Sequence, residues 1–176
     1  TMFRQHIDTR SITFNIIAIN VGMFVISVVY PPIQNLLSLH YIFNTHHFIE
    51  GSTFQPFQII THMFMHGNLS HIFFNMFGLY MFGTVLERVW GARRFLFYYF
   101  TTGVGAVILH MLVQAIIVNN FTGSFDPTAA QITAEPGVMD TYFSSTVGAS
   151  GALFGILIGF GMLFPNTELY LMFIPI

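Results

Sequence analysis

The chain has 176 residues, of which 54% are hydrophobic, 17% aromatic and only 7% charged, with a formal net charge of −2 at pH 7. Because a soluble domain carries roughly a quarter charged residues, this composition excludes an ordinary soluble protein and predicts no nucleic-acid partner. Cysteine is absent, which excludes disulfides, a catalytic thiolate and cysteine-ligated metals in this chain. The uncharged stretches reach the length of about 20 residues that a membrane helix needs. The sequence therefore predicts a polytopic membrane protein.

The first predicted span covers residues 12–30 and is ended by Pro31 and Pro32, which cannot donate helical hydrogen bonds. Its apolar run is too long for a signal peptide and is not followed by a small-residue cleavage site, so we expect the span to be retained. Residues 33–60 mix aromatic side chains with polar ones without helical periodicity. They are predicted to form a partly structured interfacial loop.

The second predicted span, residues 61–86, carries three histidines and an amide toward its start: His62, His66, His71 and Asn75. Such groups are costly in a spanning helix and usually face a protein interior or a water-filled cavity. Residues 87–94 form the most basic segment of the chain and are predicted to be a short loop before a third span, residues 95–118.

An acidic, turn-rich segment at 119–146 leads to a fourth predicted span at 150–164 and to a fifth at 168–176. The chain opens on Thr1 and stops inside an apolar run, so it is interpreted as a fragment with four spans and the start of a fifth. Basic residues next to spans favour the cytoplasmic side. Arg4 and Arg10, together with the basic segment, thus predict a cytoplasmic N-terminus and an approach to Ser150 from the external side.

The predicted fourth span is short, and it begins with Ser150. A helix over residues 150–164 is about 22 Å long, which would leave Ser150 roughly 8 Å below the outer surface of a bilayer core. A non-helical segment leading to it must line a wet cavity or be shielded by protein. The alternative is that the glycines of this span, at 148, 151, 155 and 159, serve only as a close-packing face of small residues.

His71 and Asn75 are four residues apart and therefore lie on one face of a helix. An imidazole, an amide and the Ser150 backbone N–H could stabilise the oxyanion of peptide hydrolysis. The alternative is a polar pair that holds two helices together. The other enzyme class considered is a histidine-box metalloenzyme using His62, His66 and His71, but residues 61–86, 95–118 and 150–164 contain no carboxylate. Glu87 and Arg88 are interpreted as a structural tie.

Two motifs in this order resemble those of the rhomboid family: His71-Ile72-Phe73-Phe74-Asn75, and Gly148-Ala149-Ser150-Gly151 opening the fourth span. The run from Thr61 to His71 is also similar to the family's lead into its second span. The segment from Glu87 to Gly91 resembles the charged loop that follows.

The resemblance implies an all-α membrane bundle with a six-span core. It implies a rhomboid of the bacterial type, in the bacterial inner membrane. It implies an intramembrane serine protease that cleaves transmembrane protein substrates within the lipid bilayer by a Ser-His dyad, without metal or cofactor. Ser150 would be the nucleophile, and His71 and Asn75 the oxyanion donors. The residues expected to be structural are His62, His66, Glu87, Arg88, Gly148, Gly151 and Gly155.

The resemblance places the general base on a histidine of the sixth span, and no histidine follows Ser150 in these 176 residues. The isolated chain is therefore expected to be inactive, because a serine without a base is a poor nucleophile. The alternative from another class is a non-catalytic rhomboid-like protein that binds membrane clients. Substrate identity and oligomeric state are not encoded in any pattern found here.

Overall fold

The fold is that of an all-α membrane bundle. It is seen in a computed structural model that describes residues 11–44 and 53–167, and the backbone of 170–171 and 174–175. Three helices in the described residues are long and apolar enough to cross a membrane: Ile12–Val29, Leu69–Trp90 and Ala92–Thr122. A shorter apolar helix covers Ser150–Leu163.

The first span and its exit follow the predicted pattern closely. Helix α1 (Ile12–Val29) begins at Ser11, whose side chain accepts a bond from the Phe14 N–H. Helix α2 (Pro32–Leu37) starts at a proline, a residue favoured in the first helical turn. The loop predicted at 33–60 thus begins as a helix and ends with α3 (Gln58–Thr61). Residues 45–52 of that loop, and Arg4 and Arg10, lie outside the described residues.

The second span begins eight residues later than predicted. A 3₁₀ turn (His62–Phe64) follows α3, the backbone then becomes extended at Met65, and the Asn68 side chain caps a new helix by accepting from the His71 N–H. This helix runs through α4 (Leu69–Gly78), a π turn (Leu79–Gly83) and α5 (Thr84–Trp90). His62 and His66 therefore lie outside the spanning helix.

The predicted loop at 87–94 is also wrong in extent, because α5 continues to Trp90 and only Gly91 separates it from α6 (Ala92–Thr122). Gly91 has a φ of 81°, a conformation that favours glycine, and this single residue reverses the chain. The acidic segment folds into two short helices, α7 (Ala129–Ala134) and α8 (Pro136–Phe143).

Helix α9 (Ser150–Leu163) has 14 residues and packs along α6 more extensively than any other described pair of helices. At the predicted fifth span, the described backbone differs from a helix: β1 (Tyr170–Leu171) pairs antiparallel with β2 (Ile174–Pro175). A nine-residue apolar run is too short for periodicity to distinguish a helix from a strand.

The main core lies between α1, α4–α5, α6 and α9. Fully buried side chains from three of these elements meet there, including Leu79, Leu86, Phe95, Tyr99 and Ile156. A second cluster lies beneath α7 and α8 and is centred on Tyr41 and Tyr142, whose rings are 5.0 Å apart. The bundle thus holds the start of α9 against the start of α4.

Candidate active site

The segment that leads into Ser150 is fixed by backbone hydrogen bonds to two separate parts of the chain. Thr146 and Leu39 exchange N–H to carbonyl bonds of 3.0 and 2.8 Å. Two residues later the Gly148 N–H donates to the His62 carbonyl at 2.8 Å. These bonds satisfy an irregular backbone immediately before α9 and set the position at which Ser150 begins the helix.

Gly148 is the point at which the predicted motifs meet. Its φ of 114° favours glycine, and a Cβ placed on it would lie 2.7 Å from His71 Nε2 and 3.6 Å from Asn75 Nδ2. The backbone two residues before Ser150 therefore packs directly on the His71 imidazole, with the Asn75 amide behind it. A side chain at position 148 would occupy the space of that imidazole.

The cap of α4 determines where His71 and Asn75 stand on the helix. The Asn68 Oδ1 accepts from the His71 N–H at 2.8 Å and from the Ser70 hydroxyl at 2.7 Å. His71 is thus in the first turn, and Asn75 follows one turn later on the same face. Asn75 is only 5% exposed, and its Nδ2 has no hydrogen-bond partner in the described part of the chain. A buried amide donor without an acceptor is rare in folded proteins.

A cavity of about 160 Å³ opens beside Ser150, between α6 and α9. Its polar lining comes from Ser150, His62, His110 and Thr146, and small residues of α6 and α9 form its apolar walls. His110 Nε2 and Thr146 Oγ1 are 2.8 Å apart, which ties α6 to the segment before Ser150. Neither residue was singled out for the site from the sequence, because His110 lies alone on an apolar helix and Thr146 in a turn-rich segment.

His62 is oriented by the loop that precedes it. Its Nδ1 is 2.9 Å from the Gln58 carbonyl, which can only accept, so this nitrogen carries the proton. Burial lowers the pKa of His62 below its usual value and keeps the ring neutral. Gln58 is itself 1% exposed and its amide bonds to His40, Gln55 and Leu36, a role that sequence reasoning missed.

His66 lies in the non-helical link between the 3₁₀ turn and α4. It is 2% exposed, and among the residues that the structure describes neither ring nitrogen has a hydrogen-bond partner. Its ring meets the His71 ring edge-to-face, with centroids 5.1 Å apart and planes at 67°. Burial, reinforced by the neighbouring His71, lowers the pKa of His66 to about 4.

Two glycines of α9, Gly151 and Gly155, lie against α6. A Cβ on Gly151 would be 2.7 Å from the Ala106 Cβ, and one on Gly155 would be 2.5 Å from the Thr102 Cβ. Both positions thus allow the close approach of two helices that small residues provide in membranes.

Glu87 binds the start of α1 with both carboxylate oxygens. It accepts from the backbone N–H groups of Ile12 and Thr13 at 2.7 and 2.9 Å, and from the Ser11 and Thr13 hydroxyls at 2.7 Å. A carboxylate at a helix N-terminus is favoured by the helix dipole. Arg88, the next residue of α5, is exposed.

The structure therefore packs Gly148, two residues before Ser150, on His71 and next to Asn75. His66 contacts the His71 ring, whereas His62 lines the cavity beside Ser150, which neither His71 nor Asn75 lines. Glu87 and Arg88 lie at the far end of the same long helix. Among residues 11–44 and 53–167, no three His, Asp or Glu side chains are grouped so that they could share a metal ion.

Known proteins resemble this chain in sequence. The family model described as the Rhomboid domain matches residues 53–176. The chain is 27% identical over 173 residues to RHOMBOID-like protein 12, mitochondrial, of Arabidopsis thaliana, covering 98% of this chain and 47% of that protein. It is 24% identical over 154 residues to Rhomboid protease AarA of Providencia stuartii, covering 87% of this chain and 50% of that protein.

A further relative is Rhomboid protein 1, mitochondrial, of Saccharomyces cerevisiae, 28% identical over 118 residues, which are 67% of this chain and 28% of that protein. The chain spans about half the length of the first two relatives.

Proposed function

The chain belongs to the rhomboid family, and we propose that it contributes the nucleophile and the oxyanion site of an intramembrane serine endopeptidase. The observation that carries the proposal is the packing of Gly148, two residues before Ser150, on His71, with the unpaired Asn75 amide behind them. A hydrolase needs such a donor free until charge develops in the transition state. A polar pair that merely joins two helices would have its donor already bonded.

In the proposed reaction the Ser150 Oγ attacks the carbonyl carbon of a peptide bond in a transmembrane protein substrate. The oxyanion that forms is stabilised by the imidazole of His71, the amide of Asn75 and the Ser150 backbone N–H. Ser150 is the first residue of α9, and its preceding residue provides no side-chain cap, so the amides of this helix end are available to an anion. Collapse of the tetrahedral intermediate releases the amine, and water then hydrolyses the acyl-enzyme.

The proposed general base is a histidine on a later span, beyond Ile176. His71 is assigned to the oxyanion site and His62 has one nitrogen engaged with Gln58, so neither is assigned as the base. The 176-residue chain alone is expected to show no proteolysis. Cleavage of a membrane substrate by this chain alone, lost in Ser150→Ala, would refute the assignment of the base.

The protein is an integral membrane protein. Because arginines flank the spans, we propose that the N-terminus lies in the cytoplasm and that the site opens toward the external side. Two of the relatives carry the word mitochondrial in their names. The bacterial inner membrane is thus one of two compartments to be tested, by fractionation of cells that express the full-length protein.

The decisive test uses the full-length protein in liposomes with a single-span model substrate. Ser150→Ala is expected to abolish cleavage and labelling by a fluorophosphonate probe. The matched control is Ser145→Ala, since Ser145 is exposed five residues earlier and should tolerate the change. Mass spectrometry should locate the probe on Ser150. Cleavage that persists in Ser150→Ala would disprove the nucleophile.

The same assay distinguishes the alternatives. A wild-type protein that binds the substrate but neither cleaves it nor reacts with the probe would support the client-binding protein. Stoichiometric zinc or iron in the purified protein, lost in His62→Ala, would support the metalloenzyme instead.

A further inference from the structure

His66 is a buried histidine that the proposed reaction does not use. It is 2% exposed, and within residues 11–44 and 53–167 neither ring nitrogen has a hydrogen-bond partner. A buried polar group in this state needs an explanation. The contact that its ring makes supplies one.

The ring contact of His66 is with His71. The two imidazoles meet edge-to-face, with centroids 5.1 Å apart and planes at 67°. Aromatic rings prefer this geometry because the positive edge of one faces the negative face of the other. His71 also contacts Gly148, where a Cβ would lie 2.7 Å from Nε2 and 2.8 Å from Cε1. The His71 imidazole therefore packs both on the His66 ring and on the backbone that leads to Ser150.

We propose that His66 is a positioning residue, whose ring holds the His71 imidazole against Gly148 and so keeps it aimed at the oxyanion position. This inference rests on the proposed function for its effect on catalysis.

The contact between His66 and His71 has a local cause in the backbone. The link at residues 65–68 is non-helical and bends at residues 67 and 68, and α4 starts only at Leu69, so residue 66 lies beside the first helical turn. A continuous helix from residue 61 would instead separate positions 66 and 71 by more than one turn.

The electrostatic surroundings agree with a role based on ring shape. Burial is the largest influence on His66, and the neighbouring imidazole of His71 adds to it, so the pKa lies at about 4. The Phe64 carbonyl opposes this shift without reaching hydrogen-bond geometry. His66 is thus uncharged near neutral pH, and a neutral aromatic ring of similar size should replace it.

The test compares His66→Phe with His66→Ala in the full-length protein. His66→Ala removes the ring, and we expect kcat to fall about 10- to 100-fold, since a displacement of 1 Å can cost about 100-fold. KM should change less than about twofold, because substrate binding does not depend on an oxyanion donor. His66→Phe should restore kcat to within about threefold of the wild type. Met65→Ala, a change at an equally buried neighbour without a ring, controls for general loss of packing.

A second measurement does not depend on activity. In protein labelled with ¹⁵N-histidine, the His71 ring signals, assigned by their loss in His71→Asn, should shift or broaden in His66→Ala and recover in His66→Phe. The inference is overturned if the His71 signals are unchanged in His66→Ala, or if His66→Phe is as impaired as His66→Ala. Failure of the proposed function looks different: the wild type would not cleave substrate, while the His71 signals would still respond to His66→Ala.

Discussion

Replacing Asn75 by leucine should separate activity from stability. Asn75 is 5% exposed and its Nδ2 has no partner. A buried donor left unsatisfied costs about 1–3 kcal/mol, and replacement by an apolar group of similar shape is often neutral or favourable. Asn75→Leu removes this donor without breaking a hydrogen bond made by Nδ2. We therefore expect the free energy of unfolding to stay within about 1 kcal/mol of the wild type, or to rise.

The effect on catalysis should have the opposite sign. Removing one oxyanion donor typically lowers kcat by about 10²–10³, which corresponds to about 2.7–4 kcal/mol. An interaction made only in the transition state lowers kcat and kcat/KM together, so KM should change little. The assay is cleavage of a single-span substrate by the full-length protein in liposomes, with thermal unfolding measured on the same preparations.

Asn20→Leu is the matched control for this experiment. Asn20 is also a buried asparagine in a spanning helix, with Oδ1 unpartnered, but its Nδ2 donates to the Ile16 carbonyl at 2.8 Å in α1. This variant should leave kcat unchanged. The oxyanion assignment would be refuted if Asn75→Leu lowered the free energy of unfolding by about 2 kcal/mol or more and kcat fell only in proportion to the folded fraction. Asn75 would then be a polar link between helices.

Three further predictions concern other parts of the fold. Gly148→Ala should lower kcat at least about 100-fold by displacing the imidazole behind it, whereas Gly161→Ala, where a Cβ meets open space, should not. Glu87→Ala should lower the free energy of unfolding by on the order of 3 kcal/mol, measured by heat or denaturant, because charge-assisted hydrogen bonds are lost. Glu135→Ala, at an exposed position, should leave this free energy almost unchanged. Burial raises the pKa of Tyr41 from 10.0 to about 12. Because the folded state then holds this proton more tightly, stability should fall between pH 10 and 12, and Tyr41→Phe should flatten that part of the pH profile.

Much of the helical frame could be predicted because apolar length is a strong local signal. Helices α1 and α9 begin and end within one residue of the predicted spans. The prediction misplaces the second span because the apolar residues 63–65 extend the hydrophobic run before Leu69, and because it treats the cap at Asn68 as helix interior. The early end predicted at Leu86 has a related cause: Glu87 looked like a loop residue, but its charge is satisfied by α1.

The site was predictable to the extent that its parts are local. The spacing of His71 and Asn75 places both on one face of α4 once the helix is known. Their packing on Gly148 is a contact between residues 73 to 77 positions apart, which no local pattern contains. The same is true of His110 beside Thr146 and of the bond between Leu39 and Thr146. These contacts depend on how distant segments pack together, and the sequence indicates only one such packing, that of α9, through its glycines.

The shortness of α9 and the bonds that precede it have one common physical explanation. A helix of 14 residues is about 21 Å long, against about 30 Å for a hydrocarbon core. The missing length is filled by a non-helical segment, and lipid cannot satisfy the polar backbone of such a segment. Here Leu39 and His62 supply hydrogen bonds to Thr146 and Gly148. Thr146, Gly148 and His62, which make these bonds, also line the cavity beside Ser150. If Ser150 lies below the membrane surface, as we propose, the segment that satisfies the irregular backbone would also form part of the route by which water reaches this serine.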